Sequence, residues 1–146
     1  MRVLALDLGS KRIGVAVSDA GGTLASPRTV LLRSGDVARD HHRIAAMVDE
    51  EEARAVLVGL PLSLDGSDGA AATAARAEAA ALAAVLAVPV VLHDERLTTV
   101  TAHRLLAARG LDSRARRKVV DQAAAAVMLQ AWLDGGGIQS VSEGDT

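Results

Sequence analysis

The 146-residue chain has no cysteine, no tyrosine, no phenylalanine and one tryptophan, Trp132. Without cysteine there is no disulfide framework, thiolate zinc site, iron–sulfur cluster or cysteine nucleophile, and an oxidising compartment has no support. With Trp132 the only aromatic residue, base-stacking platforms are not expected, and the core must be assembled from Ala, Val, Leu and a few Ile and Met. Long apolar runs are missing too. The stretch from Ala79 to Val91 is alanine-rich and contains Pro89, which makes a poor membrane span. The first apolar run meets Asp7 and has no cleavage-site pattern, so it does not read as a signal peptide. A cytoplasmic protein with no membrane partner is expected.

What is present fits one soluble globular domain: 50% hydrophobic residues, 23% charged residues and a formal net charge of -2. A chain of this size buries roughly 70% of the surface it exposes when unfolded. The positive charge is mostly arginine and is clustered. Arg109, Arg114, Arg116, Arg117 and Lys118 share one stretch, Lys11 and Arg12 follow the first carboxylate, and Asp49, Glu50, Glu51 and Glu52 lie elsewhere. Arginine suits phosphate, although a solvated face accounts for such a cluster equally well.

Three short strands open the chain, Val3 to Leu8, Arg12 to Ser18 and Leu24 to Leu31, joined by turns tight enough for antiparallel hairpins. From Asp36 the period changes, and Val37, Ile44 and Val48 fall on one helical face. A strand follows at Ala55 to Gly59, then a turn-rich loop to Ser67 and an alanine-rich helix from Asp68 to Ala87. Next come a strand over Val90 to His93, a helix capped by Thr98 or Thr99 that stops at Gly110, and a last helix over Val119 to Leu133. Residues 1–134 are expected to form the domain and 135–146, opened by Gly135-Gly136-Gly137, a flexible tail. This order predicts an α/β fold whose mixed five-stranded sheet has three antiparallel strands, then two parallel ones, with helices on both faces. With the first strand central, the carboxyl ends of strands one, four and five share an edge where a site is expected.

Three acids stand out. Asp7 ends the first apolar strand, Glu95 follows the last strand, and Asp121 lies in the first turn of the final helix on a face continued by Ala125, Met128 and Trp132. Hard oxygen donors from separate elements, without clustered histidine, suit Mg²⁺ or Mn²⁺. Two such ions about 4 Å apart activate water and stabilise the leaving oxygen in phosphodiester hydrolysis. Each acid also has a structural reading: Asp121 favouring a helix N-terminus, Glu95 paired with Arg96 or Arg104, Asp7 capping a turn. His93 reads as structural more than as a general base. The Asp7-Leu8-Gly9-Ser10 turn with Gly14 also fits a phosphate-approaching turn of the actin-like and sugar-kinase type, a rival nucleotide-binding class.

Taken in order, the segments Leu6-Asp7-Leu8-Gly9-Ser10-Lys11-Arg12-Ile13-Gly14-Val15-Ala16, Gly59-Leu60-Pro61-Leu62 with Asp65-Gly66-Ser67, Asp94-Glu95-Arg96-Leu97-Thr98-Thr99 and Asp121-Gln122-Ala123-Ala124-Ala125 form a recognisable set. The chain resembles the bacterial YqgF family, also called RuvX, over about its first 134 residues. The resemblance implies an RNase H-like fold and a metal-dependent nuclease whose metal-binding, catalytic acids are Asp7, Glu95 and Asp121. It leaves open pre-16S rRNA or a branched DNA junction as substrate. Lys11, Arg12 and Arg96 are candidate phosphate contacts near the site, with Arg114, Arg116 and Arg117 for a more distant backbone segment. A non-catalytic assembly factor is a further class, and nothing in the sequence selects monomer or dimer.

Overall fold

The computed structural model describes residues 1–96 and 113–144, with side chains described for 1–96 and 124–141. Strands β1 (Val3–Leu8), β2 (Arg12–Ser18) and β3 (Ala25–Leu32) precede helix α1 (Val37–Glu51), then come β4 (Ala55–Leu60), α2 (Ala70–Val85), β5 (Val90–Asp94), α3 (Ser113–Asp134) and α4 (Gly137–Gly144). The sheet order is β3-β2-β1-β4-β5. β1 and β2, and β2 and β3, pair antiparallel, whereas β1 and β4, and β4 and β5, pair parallel. This is the expected mixed sheet with β1 at its centre. The helix expected between Thr98 and Gly110 lies outside the described residues.

Pleating sends alternate side chains to opposite faces, which divides the core in two. Leu4, Leu6, Val56 and Val58 face Ile44, Met47 and Val48 of α1 and Ala79 and Leu82 of α2. Val3, Ala5, Ala55 and Leu57 face Ala125, Met128, Leu129 and Trp132 of α3. β4 is buried along its whole length, as its unbroken apolar run requires when both faces are covered. The small inward residues of α2, Ala72, Ala75 and Ala79, and the lone indole of α3 fill a core that has no other aromatic group.

Several boundaries differ from expectation for local reasons. β3 begins at Ala25 because Leu24 belongs to the preceding turn, where the Asp19 carboxylate accepts from the Thr23 and Leu24 amides at 2.7 and 3.1 Å. Asp36 caps α1 by accepting from the Arg39 amide. Ile44 and Val48 are buried as expected, but Val37 is half exposed; the buried positions of the first turns go to Asp40 and His41. α3 starts at Ser113, six residues before the expected Val119. The Gly-rich segment expected as a flexible tail contains α4, with Ile138 and Val141 packed on the α3-side core. Its glycines serve close approach, since a side chain at Gly137 would run into the Trp132 ring.

Candidate active site

The carboxyl ends of β1, β4 and β5 lie at one edge, and the pleat decides which residues there look toward α3. Val3 and Ala5 face α3, so Asp7 continues that row; Ala55 and Leu57 place Gly59 in the next row, and Val91 places His93 and then Glu95 in the third. β4 separates β1 from β5, so Asp7 and Glu95 do not sit on neighbouring strands. They meet all the same, and their carboxyl groups are hydrogen-bonded. Gly59 makes this possible, because a Cβ at that position would collide with the Glu95 carboxyl and approach Met128 Sδ to 2.8 Å. On the other side of Asp7 the cross-strand partner is Gly14, where a Cβ would touch Asp7 and Ala125 at 3.6 and 3.7 Å. Both glycines stand in the recognised segments, but that Gly14 and Gly59 make room for the two acids depends on the order of strands and was not legible there.

Both acids are shifted upward. Burial raises Asp7, partly offset by its hydrogen bond with Glu95. Burial raises Glu95 further, and the negative charges of Asp7 and Asp94 add to it, pushing the group up to about 7. Two half-buried carboxyl groups that share a hydrogen bond are a donor set of hard oxygens, the kind that suits a divalent cation such as Mg²⁺ or Mn²⁺. Among the described residues no third His, Cys, Asp or Glu completes a metal-sized cluster. The expected third acid, Asp121, is on described backbone, two turns before Met128 in α3, with its side chain outside the described set. The side chains of Arg114, Arg116 and Arg117 also fall outside it.

The basic residues divide. Lys11 and Arg12 line a cleft of about 700 Å³ that starts at Asp7 and crosses Gly14 and Val15 toward Arg28 and Thr29, with Ala124 to Ala126 opposite. Arg28 is held by Glu50 at 2.6 Å and Glu51 at 2.9 Å. Arg96 is engaged as well: its guanidinium binds the Asp94 carboxylate, at 2.6 Å for Nη2, and donates to the Leu64 carbonyl at 3.2 Å. Arg96 therefore braces the loop after β4, which Asp65 tightens by accepting from the Ser67 hydroxyl and amide. His93 is shifted downward by burial, against the pull of Asp94, so its neutral form is favoured.

A mixed sheet in this order, covered on both faces, with two acids at the carboxyl edge of β1 and β5, is an RNase H-like fold. The chain belongs to the RuvX family, described as Holliday junction resolvase, which it matches over residues 1–135. A relative from Rhodococcus jostii, named "Putative pre-16S rRNA nuclease", is 48% identical, the match covering 99% of this chain and 83% of that protein. One of the same name from Thermoanaerobacter pseudethanolicus is 41% identical over 92% and 96% of the two chains. Among solved structures, Thermus thermophilus RuvC in complex with Holliday junction substrate superposes with a TM-score of 0.58 at 19% identity, covering 93% of this chain and 96% of that one.

Proposed function

We propose that the protein is a divalent-cation-dependent endonuclease that hydrolyses phosphodiester bonds in structured RNA and acts on the 5′ end of pre-16S rRNA. The observation that carries this reading is the Asp7–Glu95 pair, two acids on separate strands brought together across Gly59 at the carboxyl edge of the sheet. Asp7, Glu95 and Asp121 are the residues proposed to hold Mg²⁺ or Mn²⁺. The bound cation supplies the Lewis acidity that phosphodiester hydrolysis needs.

The protein's own groups do the rest. Asp7 and Glu95 must both be ionised to serve as ligands, so the proton they share near neutral pH leaves on binding. Lys11 and Arg12, which line the cleft with Asp7, bind backbone phosphate and orient the strand toward that acid. The RNA assignment is supported by the relatives named for pre-16S rRNA. The family description supports a four-way DNA junction as the second reading.

Cleavage of a labelled pre-16S 5′ fragment and a labelled four-way junction, with Mn²⁺ or Mg²⁺, tests the proposal. Wild type is expected to cut the RNA, and Asp7→Asn to lose about 100-fold or more of that activity, at or beyond the 10–100-fold effect of losing a ligand's supporting contact. At 100 times its dissociation constant, Mn²⁺ stabilises wild type by about 2.7 kcal/mol and Asp7→Asn by much less. Junction cleavage alone selects the resolvase reading. Binding of RNA with no cleavage, unchanged by Asp7→Asn, selects an assembly factor.

A further inference from the structure

The turn between β1 and β2 carries Lys11 and Arg12, and it is held from the face of the sheet opposite α3. Gly9 donates to the Asp7 carbonyl at 3.1 Å, and a Cβ on Gly9 would stand 2.6 Å from the Arg12 carbonyl oxygen, so the turn folds tightly on itself. Arg33, just beyond β3, grips it twice. Its amide donates to the Lys11 carbonyl at 2.9 Å and its Nε to the Gly9 carbonyl at 2.7 Å. The remaining fork of the guanidinium binds both oxygens of Glu78 in α2, at 3.0 and 2.9 Å. Glu78 in turn lies 2.9 Å from Nε2 of His41 in α1. All three side chains are mostly buried, Arg33 and Glu78 being 17% and 16% exposed and His41 5%.

We propose that Arg33 is a positioning residue which, anchored by Glu78 and His41, sets the turn that presents Lys11 and Arg12 to the nucleic-acid backbone. The inference rests on the proposed reading of those two residues as phosphate contacts. A buried ion pair is no more stabilising than packed apolar residues of similar volume, so joining α1 to α2 does not by itself call for this one. The planar fork of arginine grips both oxygens of a carboxylate and leaves Nε free to hold a carbonyl in fixed geometry, which the point charge of lysine does not do. Asp7 is pinned independently: its strand pairs with β2 through Asp7 and Gly14 and with β4 up to Leu6 and Val58. Losing the Arg33 side chain removes the hold on Gly9 while the Arg33 amide keeps Lys11, so the turn shifts at Gly9 and the acid stays in place.

Steady-state cleavage of the pre-16S fragment tests this. Arg33→Met is expected to raise KM about tenfold with kcat within about twofold, the signature of lost uniform binding, and to leave the Mn²⁺-induced rise in melting temperature unchanged. Glu78→Gln, which keeps shape and one hydrogen bond, gives the same split more weakly and serves if Arg33→Met folds poorly. Combining Arg33→Glu with Glu78→Arg rebuilds the ion pair without a donor to Gly9, so melting temperature recovers while KM stays high. Lys11→Ala with Arg12→Ala raises KM, and adding Arg33→Met raises it no further. An unchanged KM in folded Arg33→Met, or a fall in kcat at constant KM, overturns the proposal. If Lys11→Ala with Arg12→Ala leaves KM unchanged, the phosphate-contact reading fails and takes the clamp with it.

Discussion

The two faces of the sheet treat buried acids in opposite ways. Toward α3, Asp7 and Glu95 are pushed above the usual carboxylate range. Toward α1 and α2, Glu78 and Asp40 are held below it. Burial is the largest influence on all four and raises each of them. The outcome differs because Glu78 accepts from Arg33 and His41, and Asp40 accepts from Ser34 with Arg33 and Arg43 nearby, while Glu95 meets the negative charges of Asp7 and Asp94. Burial thus sets the cost of a charge, and the partner decides its sign. One face holds its acids ionised through cationic partners, and the other is the face proposed above to take a cation.

Removing a partner on the satisfied face is the strongest way to break this contrast. Glu78→Ala leaves Arg33 and His41 facing a gap, and is expected to cost about 3 kcal/mol, the low end for a broken buried pair because some water reaches it. Chemical denaturation measures it. A loss below about 1 kcal/mol would place the pair with ordinary surface ion pairs.

Titration sharpens the contrast. Without metal, folded Glu95 keeps a proton up to about pH 7 that the unfolded chain releases near 4.5. Its contribution is therefore full below the lower value and is lost as pH rises through the upper one. Glu78 runs the other way: its contribution is present above its unfolded value of 4.5 and is lost as pH falls through its depressed folded value. Melting temperature of the metal-free protein is expected to decline on both sides of about pH 5, and saturating Mn²⁺ to remove the decline on the alkaline side only. A metal-free curve that stays flat from pH 5 to 7 would separate Glu95 from the strained pair.

Gly59→Ala probes the space between the acids. Its Cβ meets the Glu95 carboxyl and Met128, so overpacking of about 1–2 kcal/mol is expected, together with roughly tenfold weaker Mn²⁺ binding as Glu95 is displaced. Calorimetric titration with Mn²⁺ reads the second effect, and unchanged affinity would mean that Glu95 does not lean across β4 to bind. The smallest effect is expected at Arg76, whose pair with Asp68 at 2.6 Å is exposed. Arg76→Ala should change stability by less than about 0.5 kcal/mol, and a larger loss would show that exposure is not what separates the two kinds of pair.

Much of this was legible in the chain because it is local. Alternating apolar residues ended by Asp7, the continuous apolar run of Ala55 to Gly59, the change of period at Asp36 and the alanine-rich helix are patterns within a few residues, and each appears where expected. So does the α3 face of Ala125, Met128 and Trp132, which is buried against the sheet. The errors occur where local signals compete. Leu24 looked like strand until Asp19 claimed its amide, and Gly135 to Gly137 looked like a flexible end until Trp132 required a residue without a side chain.

The sequence by itself determined the order of elements, the two-sided sheet and the acids at strand ends, since hydrophobic period and turn chemistry are set by near neighbours. Only the tertiary structure decided that Glu95 crosses β4 over Gly59 to reach Asp7, and that Arg33 grips the Gly9 turn from an anchor 45 residues away at Glu78. These meetings depend on strand order and helix placement, and the side chains involved carry no local pattern that announces their partners.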